Sequence, residues 1–151
     1  DSSLLLAYVK NLIKSRKDAK AILNDTDPAP DDGAKLEGRL FIEKIYALMD
    51  SHIADSGFKV EAFGQSIGLS RVQLYRRIKE QTGYSPNELL RVYRLQKAKK
   101  LLSTTDLAVA EVAYRVGFSS PAYFTKCYRE FYKELPTAFL KRMALKNEDS
   151  L

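Results

Sequence analysis

Apolar residues recur every three or four positions along most of the chain, with polar residues between them. The first such run covers residues 3–23 and comprises Leu5, Tyr8, Val9, Leu12 and Ile13. A second run extends from about Leu36 to Ile53 through Leu40, Phe41, Ile45, Leu48 and Met49. This spacing predicts amphipathic helices, and no segment alternates with period two for long enough to predict a strand. We therefore expect an all-α fold.

Breaks in this pattern divide the chain into predicted elements. Residues 24–35 carry two Pro, one Gly and four Asp, a composition that predicts a linker. Gly57 predicts the end of the second helix. Further breaks, which predict a series of shorter helices, lie at Gly68, 83–86, 104–106, 117–120 and 133–136.

One pattern occurs twice, in residues 60–90 and in residues 109–140. Phe63, Gly68 and Leu69 match Val112, Gly117 and Phe118 at an offset of 49 residues, and Leu74, Ile78 and Pro86 match Phe124, Tyr128 and Pro136 at an offset of 50. Each copy predicts a short helix, a glycine-containing turn and a longer helix, which together form a helix-turn-helix. The alternative is a duplicated α-hairpin without a role in DNA binding.

Cap residues support the helix-turn-helix interpretation. Gly68 and Gly117 suit the position after a helix C-terminus, where a positive φ is common. Ser70 and Ser120 suit N-caps, and Pro121 suits the first position of a helix.

A long helix is predicted between the two copies. Ser85, Pro86 and Glu88 form a capping-box sequence with proline at the first helical position. The helix that follows runs to about Leu102 and spans roughly 25 Å. This length suits two recognition helices about one DNA turn apart, roughly 34 Å. We therefore expect a monomer to read two successive major grooves.

Positive charge is concentrated in the repeat region. The 151 residues include 25 Lys+Arg and 19 Asp+Glu, a net charge of +6. Residues 1–58 hold eight Lys/Arg and ten Asp/Glu, whereas residues 59–146 hold seventeen and seven. This basic block predicts a polyanion-binding surface. The alternatives are a solvated lysine-rich surface and an RNA-binding or non-specific architectural protein.

The composition also disfavours several functional classes. One cysteine, Cys127, and one histidine, His52, argue against a disulfide framework, a cysteine or multi-histidine metal site and most histidine-centred catalysis. No carboxylate pair, nucleophile–base set or phosphate loop is evident, so we expect no enzyme, cofactor or metal. No apolar run approaches the roughly 20 residues of a membrane span. Because the chain begins at Asp1 without Met, we expect it to be part of a longer protein.

Three segments of the basic block carry a family resemblance: AFGQSIGLSRVQLYRRIKEQTGYSPNELL, RLQKAKKLL and EVAYRVGFSSPAYFTKCYREF. With Pro136, they resemble the DNA-binding domain of the AraC/XylS family of bacterial transcription regulators across residues 59–142. The resemblance implies a seven-helix module in which paired helix-turn-helix units, joined by the long linker helix, bind asymmetric promoter sites.

Three positions depart from the family pattern. Lys133 replaces the usual glycine before a proline-containing turn, so we expect strain or a different turn there. Lys59 and Ala108 stand where these helices often have a serine cap, so we expect weaker first turns.

The N-terminal segment, DSSLLLAYVKNLIKSRK, resembles the last helix of a response-regulator receiver domain. A receiver-like helix, a short acidic linker and an AraC-type domain resemble the C-terminal end of hybrid two-component regulators of Bacteroidetes. We accordingly expect four parts: a receiver-like helix at 1–23, a linker at 24–35, the AraC-type domain at 36–146 and a tail at 147–151. A generic amphipathic packing helix is the alternative for the first part.

These resemblances imply a sequence-specific activator of transcription that is the output domain of a phosphorelay and controls genes for polysaccharide use. They imply double-stranded promoter DNA and RNA polymerase as partners, a homodimer in the full-length protein, and no small-molecule ligand in this fragment. They also imply a cytoplasmic location, with an inner-membrane anchor on the parent chain as an option. The alternative is a conventional ligand-sensing AraC-type regulator.

Helical spacing separates buried from exposed positions in the two recognition helices. Leu74 and Ile78 mark the buried face of the first, and Phe124, Tyr128 and Phe131 mark that of the second. The opposite faces, where the resemblance also places base contacts, comprise Arg71, Val72, Tyr75, Arg76, Pro121, Ala122, Thr125 and Lys126. Candidate contacts to the DNA backbone are Ser70, Arg77, Lys79, Arg91, Ser120 and Arg129, with Lys97 and Arg115 as further phosphate candidates.

Arg76 is the strongest single candidate, because arginine donates two hydrogen bonds to guanine O6 and N7. Lys126 offers similar chemistry with less geometric definition. Contacts to thymine methyl groups are expected from Val72, Ala122 and Thr125, and adaptable hydrogen bonds from Gln73 and Tyr75.

Other residues are expected to be structural. The family resemblance places Arg94 at a buried position of the linker helix. Cys127 is expected to be a packed thiol and His52 a surface residue. The aromatic residues expected in the core, rather than stacked on bases, are Phe118, Tyr123, Phe124, Tyr128, Phe131 and Tyr132.

Overall fold

The structure is a computed structural model that describes residues 32–149, and this range contains α-helices and no strand. The helices are α1 (Asp32–Ser51), α2 (Glu61–Ser66), α3 (Arg71–Thr82), α4 (Pro86–Thr104), α5 (Val109–Arg115), α6 (Pro121–Tyr132) and α7 (Pro136–Asp149). The all-α prediction is confirmed. The predicted helix at 3–23 and most of the predicted linker lie outside the described residues, as do the last two residues of the predicted tail.

Helix boundaries differ from the sequence expectation at both ends of the described region. Helix α1 begins at Asp32 rather than at about Leu36, so its first turn lies within the last residues of the range predicted as a linker. Ala34 and Lys35 favour a helix, and a glycine within a first turn does not prevent one. Helix α7 continues to Asp149, beyond the predicted domain end at 146.

The chain divides into two compact units, the first of which contains residues 32–51 and 59–90 of the described range. In this unit α1 and α2 both pack against α3. Its fully buried apolar residues include Ile45, Met49, Val60, Leu74, Ile78 and Leu89. The capping box predicted before α4 is confirmed, because the Ser85 side chain accepts from the Glu88 amide at 3.3 Å and the Glu88 carboxylate accepts from the Ser85 amide at 3.2 Å.

The apolar stripe predicted for α1 is only partly buried. Leu36 and Leu40 are 55% and 50% exposed, whereas Ile42 and Tyr46 are buried. At about 100° per residue, the two leucines lie on the side of the helix opposite the buried row. Apolar residues occur on both sides of α1, and only the row that faces α3 is covered.

The second unit contains residues 52–58 and 91–149. Here α5 packs against α6 and α6 packs against α7. Its core comprises Leu95, Ala98, Leu102, Val112, Ala113, Val116, Phe118, Phe124, Cys127, Tyr128 and Phe139. The prediction that Cys127 is a packed thiol is confirmed, since this free cysteine is buried.

Arg94 holds the segment 52–58 within this second unit. Its Nη2 donates to the Asp55 carbonyl oxygen at 2.7 Å, and the residue is 9% exposed. Burial lowers the pKa of the Arg94 guanidinium, and the charge of Asp55 opposes that shift. In the same segment the exposed His52 ring stacks on Phe58, with centroids 4.5 Å apart. Arg94 is therefore structural, as expected.

Candidate nucleic-acid interface

The first helix-turn-helix consists of α2, a four-residue turn and α3. Gly68 adopts a left-handed conformation with φ of 75°. The Ser70 hydroxyl accepts from the Gln73 amide at 3.1 Å, and the Gln73 side-chain oxygen accepts from the Ser70 amide at 2.8 Å. Both interactions form a capping box that fixes where α3 begins. Gln73 was expected to contact DNA, but its side-chain oxygen is engaged in this cap.

The second helix-turn-helix consists of α5, a five-residue turn and α6. Gly117 is also left-handed, with φ of 90°. The Ser120 hydroxyl accepts from the Tyr123 amide at 3.1 Å, and Pro121 occupies the first helical position. The predicted roles of both serine caps, both glycines and Pro121 are confirmed. Because each recognition helix starts directly after its serine, the two helices share one register.

The short helices that precede the turns lack side-chain caps. Ala108 is the N-cap residue of α5, as expected, and makes no capping hydrogen bond. For α2 the N-cap is Val60 rather than Lys59, and it too lacks a side-chain hydrogen bond. Val60 is buried and already has helical φ and ψ of −62° and −29°, and a difference of one residue lies within the usual variation of helix boundaries.

Helix α3 presents one continuous exposed face. Val72, Tyr75, Arg76 and Lys79 lie within one stripe at about 100° per residue, and all four are exposed. Val72 is 65% exposed and Tyr75 is 47% exposed, although both are large apolar or aromatic residues. Leu74 and Ile78, on the other side, are fully buried. The predicted division between buried and exposed faces of α3 is confirmed, and Arg71 is exposed beside the stripe.

Helix α6 presents the equivalent face with smaller residues. Ala122, Lys126 and Arg129 are exposed, whereas Thr125 and Pro121 are half-buried. Phe124 and Tyr128, on the opposite side, are fully buried, and Phe131 is partly buried. The stripe of α6 therefore comprises Ala122, Thr125, Lys126 and Arg129.

The basic side chains separate into two groups. Those with a structural partner include Arg77, whose guanidinium lies 4.1 Å from the Phe41 ring centroid, Arg115, which pairs with Glu111 at 3.0 Å, and Arg94. Those whose side chains have no hydrogen-bond or ion-pair partner within residues 32–149 include Arg71, Arg76, Lys79, Arg91, Lys126 and Arg129. The second group supplies both recognition helices with unneutralised cations.

One aromatic residue differs from the core assignment. Phe118, Phe124 and Tyr128 are buried as expected, but Tyr123 is 46% exposed. Its ring lies at 5.8 Å from the Phe118 ring and flanks the stripe of α6. Its position is equivalent to that of the exposed Gln73 in α3, and this internal comparison could have identified Tyr123 as a surface residue from the sequence.

Lys133 retains the turn that a glycine would make. Its φ and ψ are 62° and 22°, in the left-handed region, and its amide donates to the Arg129 carbonyl at 2.8 Å. Gly83 occupies the equivalent position after α3, with φ of 78°. The expected strain is therefore present, and the alternative of a different turn is wrong.

No helix within residues 32–149 is long and apolar enough to span a membrane. No group of three or more His, Cys, Asp or Glu side chains in this range is arranged to hold a metal ion.

Sequence comparison relates the chain to known proteins. The sequence profile of a family described as a helix-turn-helix domain matches residues 64–142. Histidine kinase P4 of Formosa agariphila is 31% identical over 137 residues, which cover 89% of this chain and 10% of that protein. The chain spans between 10% and 33% of the lengths of the first curated relatives that it matches.

Structural comparison gives a consistent result. The C-terminal domain of AraT, a response regulator from Geobacillus stearothermophilus, matches with a TM-score of 0.62 and 28% identity, over 67% of this chain and 84% of that one. The DNA-binding domain of AdpA, a global transcriptional factor solved in complex with a target DNA, matches with a TM-score of 0.64 and 30% identity, over 69% and 93% of the two chains.

Proposed function

We propose a function for this chain from one premise: it belongs to the AraC-type family of helix-turn-helix domains and is the DNA-binding domain of a transcription regulator. Members of such families are normally not enzymes, and we assign no catalytic role to the chain. We infer that it binds specific sequences of double-stranded promoter DNA through α3 and α6.

The observation that carries this proposal is the matched pair of recognition faces. In each copy a serine cap fixes the helix start, and the stripe that follows ends in two cations without a described partner, Arg76 with Lys79 and Lys126 with Arg129. A helix-turn-helix places the N-terminal residues of its second helix in the major groove. Cations on that face neutralise phosphates, and arginine also reads guanine.

The roles of individual residues follow from their positions. We assign base contacts to Arg71, Val72, Tyr75, Arg76, Pro121, Ala122, Thr125 and Lys126. We assign backbone contacts to Lys79, Arg91 and Arg129, and to the first-turn amides beside Ser70 and Ser120. Arg77 is a weaker candidate, because its guanidinium already stacks on Phe41.

The similarity to a histidine kinase supports a place in a two-component system. The matched 137 residues exceed the length of 64–151, so the match includes residues before the helix-turn-helix region. This extent agrees with a receiver-like N-terminal segment followed by a linker. We therefore propose that phosphorylation of a receiver on the parent chain controls DNA binding, and that the parent chain is a homodimer that recruits RNA polymerase as an activator.

Control of polysaccharide-utilisation genes is part of this proposal and rests on the resemblance to hybrid regulators. Its test is a reporter gene behind the selected operator in cells that contain the parent protein. A rise in expression on growth with a polysaccharide, and not with a simple sugar alone, supports the assignment. Expression that is the same on both carbon sources contradicts it.

DNA selection tests the central claim. The 151-residue chain is mixed with random duplexes, the bound fraction is recovered over several rounds, and the winners are measured at two salt concentrations. We expect an asymmetric motif of two half-sites about one helical turn apart, with affinity that falls steeply with salt. Salt-dependent binding without enrichment would instead indicate a non-specific architectural protein.

Arg76→Ala and Arg115→Ala form a matched pair for the site assignment. Each removes one arginine, but Arg115 is paired with Glu111. We expect Arg76→Ala to weaken operator binding by about 1–3 kcal/mol and to relax selection at one base pair. Arg115→Ala should change the Kd little. Equal loss on operator and random duplexes for Arg76→Ala would limit Arg76 to phosphate contact.

The phosphorelay assignment is tested on the full-length protein. Its affinity for the selected operator is measured with and without phosphorylation of the receiver. Tighter binding by the phosphorylated form supports the coupling, because presentation of two linked domains to tandem sites raises avidity. Equal affinity in both states contradicts it.

A further inference from the structure

We propose that the two recognition helices read different base chemistry: α3 specifies guanine through hydrogen bonds, and α6 specifies thymine through its methyl group. This inference rests on the proposed function and deepens it, because it names the base feature that each half of the operator must contain.

The shared register of the two helices permits a position-by-position comparison. The second, fifth, sixth and ninth helical residues form the exposed stripe in both cases. In α3 they are Val72, Tyr75, Arg76 and Lys79, and in α6 they are Ala122, Thr125, Lys126 and Arg129. The second position is apolar in both helices and the ninth is a cation in both, so the contrast lies at the fifth, Tyr75 against Thr125, and at the sixth, Arg76 against Lys126.

The exposed side of α3, which comprises its stripe and the adjacent Arg71, is rich in long hydrogen-bond donors. Arg71, Tyr75 and Arg76 are all exposed, and neither arginine has a hydrogen-bond or ion-pair partner among the described residues. The planar guanidinium of Arg76 donates two parallel hydrogen bonds, which match the O6 and N7 acceptors of guanine. Guanine is therefore the base that this helix distinguishes most strongly.

The first five residues of α6 offer methyl groups where α3 offers long donors. Pro121 has no side-chain donor, Ala122 presents a bare methyl, and Thr125 adds a second methyl one turn later. The Ser120 hydroxyl already accepts from the Tyr123 amide. Lys126 is a mobile point charge without the forked geometry of arginine. The major-groove feature that matches adjacent methyls is the C5 methyl of thymine.

Base analogues test the proposal on the duplex recovered by selection with the 151-residue chain. Each guanine is replaced in turn by 7-deazaguanine, which lacks the N7 acceptor, and each thymine by uracil, which lacks the methyl. We expect 7-deazaguanine to weaken binding about 5-fold or more in one half-site only. We expect uracil to weaken binding about 4-fold per contacted methyl in the other half-site.

Three charge-conserving or conservative variants assign the half-sites to the helices. Arg76→Lys should reduce the 7-deazaguanine effect, because lysine lacks the forked geometry of arginine, and should leave the uracil effect unchanged. Lys126→Arg should create a 7-deazaguanine effect in the second half-site, provided that a guanine is placed there. Thr125→Ser, which removes one methyl and keeps the hydroxyl, should reduce the uracil effect.

Two results would overturn the inference. One is a 7-deazaguanine effect in the second half-site that disappears in Lys126→Ala, since Lys126 would then read guanine. The other is the absence of any uracil effect in that half-site. Failure of the selection to enrich a motif is a different outcome, because it would remove the proposed function itself.

Discussion

The two helix-turn-helix copies begin their recognition helices alike but differ in what surrounds the turn. Gly68 faces open space, since no described atom lies within 4 Å of where its Cβ would be. A Cβ on Gly117 would overlap the Ile53 carbonyl oxygen and lie 2.9 Å from Nε of Arg94. Glycine is therefore required for backbone conformation in the first copy, and for conformation and packing in the second.

The copies also differ at two later positions. Gly83 ends α3 without strain, whereas Lys133 holds the same left-handed conformation after α6 with a side chain attached. Ile78 fills the core position of α3 with an apolar side chain, whereas Tyr128 fills it with a phenol. The two copies therefore share the path of the backbone, but they differ in backbone strain at the helix end and in the polarity of the buried side chain.

Alanine at the two turn glycines gives the largest expected contrast. Gly68→Ala should lower the free energy of unfolding by about 1 kcal/mol, because only the cost of a positive φ is added. Gly117→Ala should lower it by about 2–4 kcal/mol, because a clash with a backbone carbonyl is added to that cost. Urea unfolding of both variants measures the difference. Equal losses would show that segment 52–58 moves away from Gly117 easily.

Lys133→Gly should remove the backbone strain that distinguishes the end of α6 from the end of α3. Glycine adopts φ of 62° without the Cβ penalty, so we expect the free energy of unfolding to rise by about 1 kcal/mol. Lys133→Ala is the matched control, since it removes the charged side chain but keeps the Cβ. If alanine stabilises as much as glycine, the lysine side chain rather than the backbone is the source of strain.

Ala108→Ser should strengthen the first turn of α5. The φ and ψ of Ala108, −63° and 150°, already suit an N-cap, and Glu111 stands three residues later. A capping box can form, so the expected gain is about 0.5–1 kcal/mol. Ala108→Gly is the control, because it adds no acceptor. No gain over glycine would mean that Glu111 stays with Arg115 and that the serine finds no amide to accept from.

Much of the fold and of the candidate site follows from the sequence because local rules act over a few residues. Serine before a helix, glycine after one and proline at a first position determine hydrogen bonds within a single turn, and Ser70, Ser120 and Pro121 behave accordingly. Burial of Leu74 and Ile78 follows from helical periodicity alone.

The remaining features depend on neighbours distant in sequence. Leu36 and Leu40 have the spacing of a buried stripe, but the packing of α1 against α3 selects the opposite row. Arg77 is indistinguishable from a phosphate ligand until Phe41 is placed beneath it. The close approach of Ile53 and Arg94 to Gly117 is likewise a tertiary contact that no local pattern contains.

Tyr128→Phe is expected to give the smallest effect. Among the described residues, the buried Tyr128 hydroxyl has no hydrogen-bond partner. Its removal should leave the free energy of unfolding unchanged near pH 7 or raise it by less than about 1 kcal/mol. Loss of stability on this substitution would indicate that the hydroxyl does have a partner in solution, such as a bound water.

The same substitution has a pH dependence of known sign. Burial raises the pKa of Tyr128 above its ordinary value near 10, with a smaller contribution from Glu134. The unfolded chain therefore loses this proton at lower pH than the folded chain, and stability falls as pH rises above about 10. Tyr128→Phe should flatten that fall in urea unfolding between pH 9 and 11. The equivalent residue of the first copy, Ile78, does not titrate and makes no such contribution. If the slope is unchanged in Tyr128→Phe, the alkaline loss of stability comes from other groups, such as Tyr46 in the first unit, whose pKa is also raised by burial.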